Sequence, residues 1–261
     1  RFLTFSQIFD IIYIESEERV MDIVSLREQW KPFFDKIRQT KEFEEFTKDP
    51  WSQSFYNLCA AINEVFPDFV FDSDSGETKF VIIPEDYDVV FKFPNIPAKH
   101  GSSIDYCLVE ARNYRAAVEK HLDKYFAWCD KLFDVYTPNG YYPIYVMEKV
   151  NCDEQSINEE LMDWFNSNYD EPDSKDEKEM IEYEDTLQEF SDGSSIAVDL
   201  WFESIFPDDY MRLIQFFTTN FIDDIHSGNL GYRNGEIVII DYCGYRALFD
   251  SKLPKDWYSK Y

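Results

Sequence analysis

Three oxygen-bearing side chains, those of Asp224, Asn229 and Asp241, stand at short spacings near the end of the chain. Phosphoryl transfer from a nucleotide needs one carboxylate to orient or deprotonate the attacking hydroxyl. It also needs an amide oxygen and a second carboxylate to hold magnesium against the phosphates. The stretch supplies all three groups, so phosphoryl transfer is the chemistry that it predicts, provided that the surrounding elements bring the three side chains together.

The residues around this set predict a helix, a loop and a hairpin, in that order. Residues 210–221 place apolar side chains close to helical spacing, which indicates a buried helix that leads into a loop. The Asn-Gly pair at 234–235 tolerates the positive φ angles of a two-residue turn, and the β-branched run 237–240 follows it. A hairpin of this length would end at Asp241, beside the preceding loop.

The loop resembles the catalytic loop of the protein-kinase-like superfamily and reads Asp224-Ile225-His226-Ser227-Gly228-Asn229. A second segment, Asp241-Tyr242-Cys243-Gly244, resembles the magnesium-binding segment of that superfamily, with one extra residue before the glycine. The nearest variant is that of short phage-encoded protein kinases, and aminoglycoside-type phosphotransferases come next. The resemblance implies a two-lobed α+β fold with an antiparallel sheet in its N-terminal lobe and a minimal C-terminal lobe. It also implies ATP and Mg²⁺ as cofactors.

The resemblance also implies roles for individual residues. Asp224 would be the catalytic base, and Asn229 and Asp241 would be the metal ligands. His226 stands where the superfamily has a Lys or His near the transferring phosphate, although a packing role within the loop is equally open. The position two residues before Asp224 is Ile222 rather than the common His, so the loop must be supported in a different way.

Lys92 lies inside a strand-like apolar run at 89–93. A buried ammonium group is costly unless it meets anions, so Lys92 either reaches water at an edge or contacts phosphate oxygens. The resemblance favours the second interpretation, because Lys92 matches the nucleotide-binding lysine of the third strand. The carboxylate partner of that lysine lies on the next helix, where apolar spacing places Glu110 among the inward residues. Glu119 is the alternative, because the pattern leaves the rotation of the helix open.

Two other parts of a nucleotide site are less distinct in the sequence. Gly76 lies between strand-like runs at 69–71 and 79–83, and it is the one glycine available there for a phosphate-binding loop. Backbone amides around it could still cradle a phosphate. A second predicted hairpin, at 132–148, resembles the strands that lead to the hinge between the lobes. On that resemblance the backbone from Glu148 to Val150 would face adenine.

Composition narrows the class of protein further. The chain has 261 residues with 18% aromatic content, which is enough for a sizeable core. No apolar run is long enough to predict a membrane span. Five cysteines without a Cys-x-x-Cys pair favour reduced thiols in a cytoplasm, that of the host if a phage encodes the chain, and disfavour zinc. The net charge of −27 predicts repulsion of nucleic acid and of anionic membranes.

The chain divides into three predicted parts. Residues 1–68 form an N-terminal helical extension, residues 69–150 form the N-terminal lobe, and residues 151–261 form the minimal C-terminal lobe. Within the last part, residues 151–192 hold 16 acidic and 2 basic side chains. This acidic segment is interpreted as an insertion, and a local acidic surface favours a basic protein as its partner.

The function predicted from these observations is that of an ATP- and magnesium-dependent phosphotransferase. The leading interpretation is a phage-type protein serine/threonine kinase that acts on basic host proteins and on itself. One alternative is a catalytically weak, kinase-like acidic protein that captures or inhibits a basic host protein, which the single glycine and the charge favour. Another is a small-molecule phosphotransferase with an aminoglycoside-like acceptor. Direct binding to nucleic acid or to a membrane is not expected.

Overall fold

The computed structural model describes residues 22–98, 104–172 and 177–243, without the side chain of Glu177. Predictions that concern residues 1–21, or Gly244 and the residues after it, lie outside this part of the chain. The described residues form eight α-helices and seven β-strands, which confirms the α+β class. The helices are α1 (Ile23–Ile37), α2 (Lys41–Lys48), α3 (Ser52–Val65), α4 (Tyr106–Glu119), α5 (Glu154–Asn168), α6 (Glu177–Ser191), α7 (Ser195–Ile205) and α8 (Tyr210–Asn220). The strands are β1 (Phe71–Ser75), β2 (Lys79–Pro84), β3 (Val89–Pro94), β4 (Cys129–Thr137), β5 (Gly140–Glu148), β6 (Leu230–Arg233) and β7 (Glu236–Ile239).

Strands β1 to β5 form one antiparallel sheet in the order β1-β2-β3-β5-β4, and β6 pairs with β7 in a separate hairpin. The β4–β5 hairpin predicted at 132–148 is present. The strand predicted at 69–71 lies further along the chain, because Phe71–Ser75 pairs with β2. This edge strand is polar and largely exposed, so backbone pairing with β2 defines it and hydrophobic alternation does not reveal it.

The two faces of the five-stranded sheet carry different side chains, because successive residues of a strand point to opposite sides. In β2 and β3, the aromatic face consists of Phe80, Ile82, Phe91 and Phe93. The charged face consists of Lys79, Val81 and Lys92. Helices α1 and α3 pack on the aromatic face, where the ring of Phe55 stacks on that of Phe80 at 4.9 Å and Trp30 meets Phe91 edge-on at 4.6 Å between centroids. The N-terminal helices therefore cover one side of the sheet and leave the charged face to α4.

Helix α4 begins at Asp105, whose side chain accepts a hydrogen bond from the backbone N–H of Leu108 at 2.9 Å. The other carboxylate oxygen of Asp105 accepts from the hydroxyl of Tyr145 on β5 at 2.6 Å, which ties the start of the helix to the sheet. With this rotation Glu110 is fully buried, whereas Glu119 is exposed at the end of the helix. The structure thus decides between the two carboxylates that the sequence left open.

The acidic segment is part of the packed structure. Within its described residues, α5 and α6 bury one face each, and the rings of Phe165 and Phe190 lie 5.2 Å apart with no exposed surface. Glutamates on the outer sides, such as Glu159 and Glu182, are exposed. The segment therefore supplies core side chains as well as charge, which a looped-out insertion would not do.

The hairpin predicted at the end of the chain is also present. Asn234 has φ 54° and Gly235 has φ 83°, the paired positive values of a two-residue turn between β6 and β7. Helix α8 ends at Phe221, which itself lies in the left-handed region at φ 58° and turns the chain into the loop. Among the described residues, none of the helices combines the length and apolar character required to cross a bilayer.

Candidate functional site

The loop after α8 and the β6–β7 hairpin place Asn229 beside the segment that carries Asp241. The backbone N–H of Ile240 donates to the carbonyl of Asn229 at 2.9 Å, so the two segments are joined one residue before Asp241. The side-chain amide of Asn229 donates to the carbonyl of Asp224 at 2.7 Å. This bond uses the nitrogen of the amide and orients the side chain, which leaves its oxygen as the atom suited to a cation.

Two lysines and two carboxylates meet under the charged face of the sheet. Lys92 Nζ lies 2.9 Å from Glu110 Oε2 and donates to the carbonyl of Ile240 at 3.1 Å. Lys79 Nζ lies 2.5 Å from Glu110 Oε1 and 2.7 Å from Asp241 Oδ2. We call Lys79, Lys92, Glu110 and Asp241 the four-charge cluster. The contact expected between Lys92 and Glu110 is present, and Lys79 is an additional member that the sequence did not suggest.

The cluster is stabilised by mutual neutralisation. Burial alone would lower the pKa of Lys79, but the carboxylates of Glu110 and Asp241 hold it well above its usual value. Burial raises the pKa of Glu110, and the ammonium groups of Lys79 and Lys92 oppose that rise. Burial also favours the neutral form of Asp241, yet the same two ammonium groups hold its pKa well below its usual range. With two lysines and two carboxylic acids in mutual contact, the formal charges of the cluster cancel.

A cleft of about 410 Å³ opens beside Asp241 and Lys79. Its lining comes from the β1–β2 turn, the start of β2, the loop after α8 and the segment after β7, and consists of Asp74, Gly76, Glu77, Thr78, Lys79, Val81, Asp224, Asp241 and Cys243. Asp224 is exposed at this cleft. One cavity therefore joins the predicted base, one predicted metal ligand and the predicted phosphate-loop glycine.

Three groups in this region could in principle ligate one metal ion, since oxygens of Glu110 and Asp241 and the sulfur of Cys243 all lie within 4.8 Å of one another. Both oxygens of Glu110 already contact ammonium groups. Burial raises the pKa of the Cys243 thiol well above its usual value, and the thiol donates to Asp241 Oδ1 at 3.2 Å. Both oxygens of Asp241 also have partners, since Oδ2 pairs with Lys79 and Oδ1 accepts from Cys243. Carboxylate and amide oxygens such as those of Asp241 and Asn229 suit a hard cation such as Mg²⁺, but Asn229 does not line the cleft.

The loop 223–229 is supported by the region between α6 and α7 and by the start of α5. The backbone N–H of Ser227 donates to the carbonyl of Gly193 at 2.9 Å, and the buried Ser227 hydroxyl lies 3.4 Å from a carboxylate oxygen of Glu154. Gly193 has φ 59°, and a Cβ there would lie 2.1 Å from the Ser227 hydroxyl oxygen. Ile222, at the position of the common His, is buried. The loop thus rests on a glycine contact with the helical region and on apolar packing.

His226 holds the loop from within. Its Nδ1 accepts a hydrogen bond from the backbone N–H of Gly228 at 3.2 Å and caps the short 3₁₀ turn Ser227–Asn229. A Cβ on Gly228 would lie 3.0 Å from the His226 ring. Of the two roles left open by the sequence, this geometry supplies the packing role.

Glu148 and Val150, the two residues expected near adenine, lie at the end of β5 and just after it. Glu148 forms an ion pair with Arg233 at 2.7 Å, and its backbone N–H donates to the carbonyl of Trp128 at 2.9 Å. Val150 packs against Gly231, where an added Cβ would lie 2.7 Å from the Val150 side chain. Neither Glu148 nor Val150 lines the cleft beside Asp241. Strand β5 ends at Glu148, as the sequence predicted, and pairs with β3 there, and contact of this backbone with adenine stays a prediction.

Gly76 lies where the sequence placed it, in the turn between β1 and β2. Its backbone N–H donates to the carbonyl of Lys79 at 2.9 Å, which closes the turn at the base of β2. That N–H is therefore committed within the turn, while Gly76 itself lines the cleft. The turn is short and carries acidic neighbours, Asp74 and Glu77, on the same lining.

Sequence reasoning missed three residues of this region: Lys79, Asn113 and Gly193. Asn113, one turn after Glu110, donates to the carbonyl of Tyr242 at 2.7 Å and fixes the segment after Asp241. The signal for Lys79 was its separation of two from Val81, since Val81 pairs with Lys92 and all three share a face. That signal required the register of the β2–β3 hairpin.

Comparison of the chain with family models, curated proteins and solved structures gives no match.

Proposed function

We propose that this chain is an ATP- and magnesium-dependent phosphotransferase of the protein-kinase-like superfamily, similar to short phage-encoded protein kinases. The observation that carries the proposal is the four-charge cluster, two members of which, Lys79 and Asp241, line a cleft together with Asp224. Buried ammonium groups beside an oxygen-ligand set suit a polyphosphate with a bound cation, and the carboxylate of Asp224 suits a hydroxyl acceptor.

In the proposed reaction the carboxylate of Asp224 accepts the proton of an acceptor hydroxyl as that oxygen bonds to the terminal phosphorus of ATP. The bond between that phosphorus and the bridging oxygen breaks, and ADP leaves with the electron pair. Asp241 and Asn229 would hold magnesium, which neutralises phosphate charge when bound. Lys92, kept in place by Glu110, contacts phosphate oxygens from the charged face.

A serine or threonine of a basic protein is the proposed acceptor, along with residues of the chain itself. The charge of −27 and the exposed glutamates of α5 and α6 would attract such a protein, and this attraction weakens with salt. The same charge disfavours nucleic acid as a partner. A cytoplasmic compartment, that of the host for a phage protein, belongs to this proposal because it supplies ATP and keeps the five cysteines reduced.

The test is incubation with labelled ATP and Mg²⁺, with and without a basic protein such as a histone. Substitution Asp224→Asn should lower label transfer by roughly 10²–10⁴-fold, the usual contribution of a general base. Asp223→Asn is the matched control, because Asp223 is the neighbouring exposed carboxylate and does not line the cleft. Equal transfer by Asp224→Asn and the native chain, or no transfer by the native chain, would remove the proposal.

A second function is favoured by one specific observation. Asp74 and Glu77 line the cleft at the turn where a phosphate-binding loop would lie, and their charge opposes triphosphate binding. The alternative is a kinase-like acidic protein that captures a basic protein without phosphorylating it. Salt-sensitive capture that survives Asp224→Asn, in a chain that transfers no label, would establish this alternative.

A further inference from the structure

Lys79 is a strand lysine whose ammonium group does not reach water. It begins β2, lies opposite Pro94 in the sheet register, and is only 7% exposed. A lysine at the end of a strand usually extends its ammonium group to water. The Lys79 ammonium instead lies between the carboxylates of Glu110 and Asp241.

Neutralisation of Glu110 does not require Lys79. Glu110 carries one buried carboxylate, and Lys92 already forms an ion pair with its Oε2 at 2.9 Å. One ammonium group is enough to balance one carboxylate. The contact that Lys79 alone provides within the four-charge cluster is the one to Asp241 Oδ2, at 2.7 Å. The difference between the two lysines that concerns the metal site is that Lys79 occupies an oxygen of the proposed metal ligand.

This contact places a positive charge where a cation would bind. Asp241 can offer Oδ2 to a divalent cation only if Lys79 gives up its ion pair or remains as a like charge beside the cation. Either way, binding of the cation alone is opposed by electrostatics, because the Lys79 ammonium group already lies 2.7 Å from the ligand oxygen.

A nucleotide removes that obstacle. The cleft beside Lys79 is lined on its other side by Thr78 and the Gly76 turn, so a polyphosphate in the cleft would lie within reach of the Lys79 ammonium group. The side chain of Asp241 is 29% exposed, which leaves it accessible from the same cleft. Phosphate oxygens would give Lys79 a new anionic partner, and Asp241 would then be free to act as a ligand.

We infer that Lys79 is an internal counter-ion that blocks the metal site until a nucleotide is bound, so that metal and nucleotide bind cooperatively. The inference rests on the proposed function, since it concerns the same site. It adds a regulation of that site: Lys79 exchanges Asp241 for phosphate, while Lys92 stays with Glu110. Lys79 is thus a positioning residue for Asp241.

The test measures binding of Mn²⁺, as a probe for Mg²⁺, by electron paramagnetic resonance and calorimetry without any turnover. The variants are Lys79→Met and the matched control Lys92→Met, which removes an equal charge from the same Glu110 but leaves the contact to Asp241. In the absence of nucleotide, Lys79→Met should bind Mn²⁺ at least about tenfold more tightly than the native chain, because a charge in direct contact with the ligand oxygen is removed. Lys92→Met should raise the affinity by a smaller factor than Lys79→Met, because the Lys92 ammonium group acts on Asp241 without contacting that oxygen.

The second measurement repeats the titration with a non-hydrolysable ATP analogue. In the native chain the analogue should raise Mn²⁺ affinity at least about tenfold, and Mn²⁺ should raise analogue affinity by the same factor, as linkage requires. This factor should fall towards one in Lys79→Met, since the obstacle to the metal alone is gone. Lys79→Arg keeps the positive charge and should restore weak binding of Mn²⁺ alone, which a purely structural role of the side chain would not predict.

Several results would overturn the inference. They are unchanged or weaker Mn²⁺ binding by Lys79→Met, an equal gain in Lys92→Met, and independent binding of metal and analogue in the native chain. If thermal unfolding shows that Lys79→Met does not fold, Lys79→Gln replaces it in the titrations. The factor by which the analogue raises Mn²⁺ affinity in the native chain is then the second measurement. Absence of Mn²⁺ binding in every case also overturns it. Label transfer by the native chain is measured separately, so loss of the inference and loss of the proposed function give different results.

Discussion

The two faces of the β2–β3 hairpin lie back to back on the same strands and are stabilised by opposite means. The aromatic face packs ring against ring under α1 to α3, and it has no titratable group in its β2 and β3 residues. The charged face buries two lysines against α4 and compensates them with the carboxylates of Glu110 and Asp241. Each strand therefore takes part in a core and in a candidate site at the same time.

The two faces should differ in how substitutions change the stability of the fold. Apolar contacts are many and individually small, so the aromatic face should lose stability in proportion to the volume that is removed. Ion pairs in a buried cluster are few and mutually dependent, so the charged face should respond to which charge is left without a partner. Rigid packing on one face can then hold the lysines of the other in place. The following changes test that division.

The largest loss of stability is expected on the aromatic face. Phe80→Ala removes a fully buried ring that stacks on Phe55, and should lower the free energy of unfolding by about 3–5 kcal/mol. Phe80→Leu is the control and should cost less than about 1.5 kcal/mol, because it keeps most of the volume. Urea unfolding measures both. Losses of equal size in the two variants would show that volume does not control this face.

The next largest loss is expected from Glu110→Gln. This change leaves two buried ammonium groups with Asp241 as their one carboxylate in the cluster, and should lower the free energy of unfolding by about 3 kcal/mol. Glu119→Gln, on the exposed end of the same helix, is the control and should change it by less than about 0.5 kcal/mol. Equal effects of the two substitutions in urea unfolding would contradict the division between the faces.

Lys92→Met should have a smaller effect on stability and a larger one on binding. Glu110 retains its ion pair with Lys79 in this variant, so the free energy of unfolding should fall by no more than about 2 kcal/mol. Affinity for an ATP analogue with Mg²⁺ should fall at least about tenfold, since a charge-assisted contact to phosphate is lost. Calorimetry and urea unfolding measure the two quantities. Unchanged nucleotide affinity would assign Lys92 to structure alone.

The smallest effect is expected at Asp209, a carboxylate outside the sheet that also has hydrogen-bonded partners. Hydrogen bonds from Tyr125, at 2.7 Å, and from Lys124 lower the pKa of Asp209 from 3.8 to about 2. A lowered pKa means that this carboxylate stabilises the fold above pH 3.8, and that the contribution is lost as the pH falls from about 4 to about 2. Asp209→Asn should therefore flatten the pH dependence of the melting temperature in that range. Asp208→Asn, at the neighbouring exposed position, is the control for the loss of one surface charge.

Local sequence determined the elements that carry the site. The Asn-Gly pair at 234–235 fixes the turn of the last hairpin through its positive φ angles, and this turn directs the chain back towards the loop. The alternation of Phe91, Lys92 and Phe93 assigns Lys92 to the face opposite the rings, because strand side chains alternate. These are short-range effects of backbone geometry, and they can be read from neighbouring residues.

Tertiary structure decided which distant groups meet. The rotation of α4 selects Glu110 over Glu119, and the β2–β3 register brings Lys79 to the side of Lys92. The contact between Gly193 and Ser227 likewise joins residues that are far apart in sequence. Each of these depends on packing between elements whose relative placement a local pattern leaves open. The sequence therefore determined where the reactive groups stand along the chain, and only the packed fold determined that Asp241 is paired with Lys79.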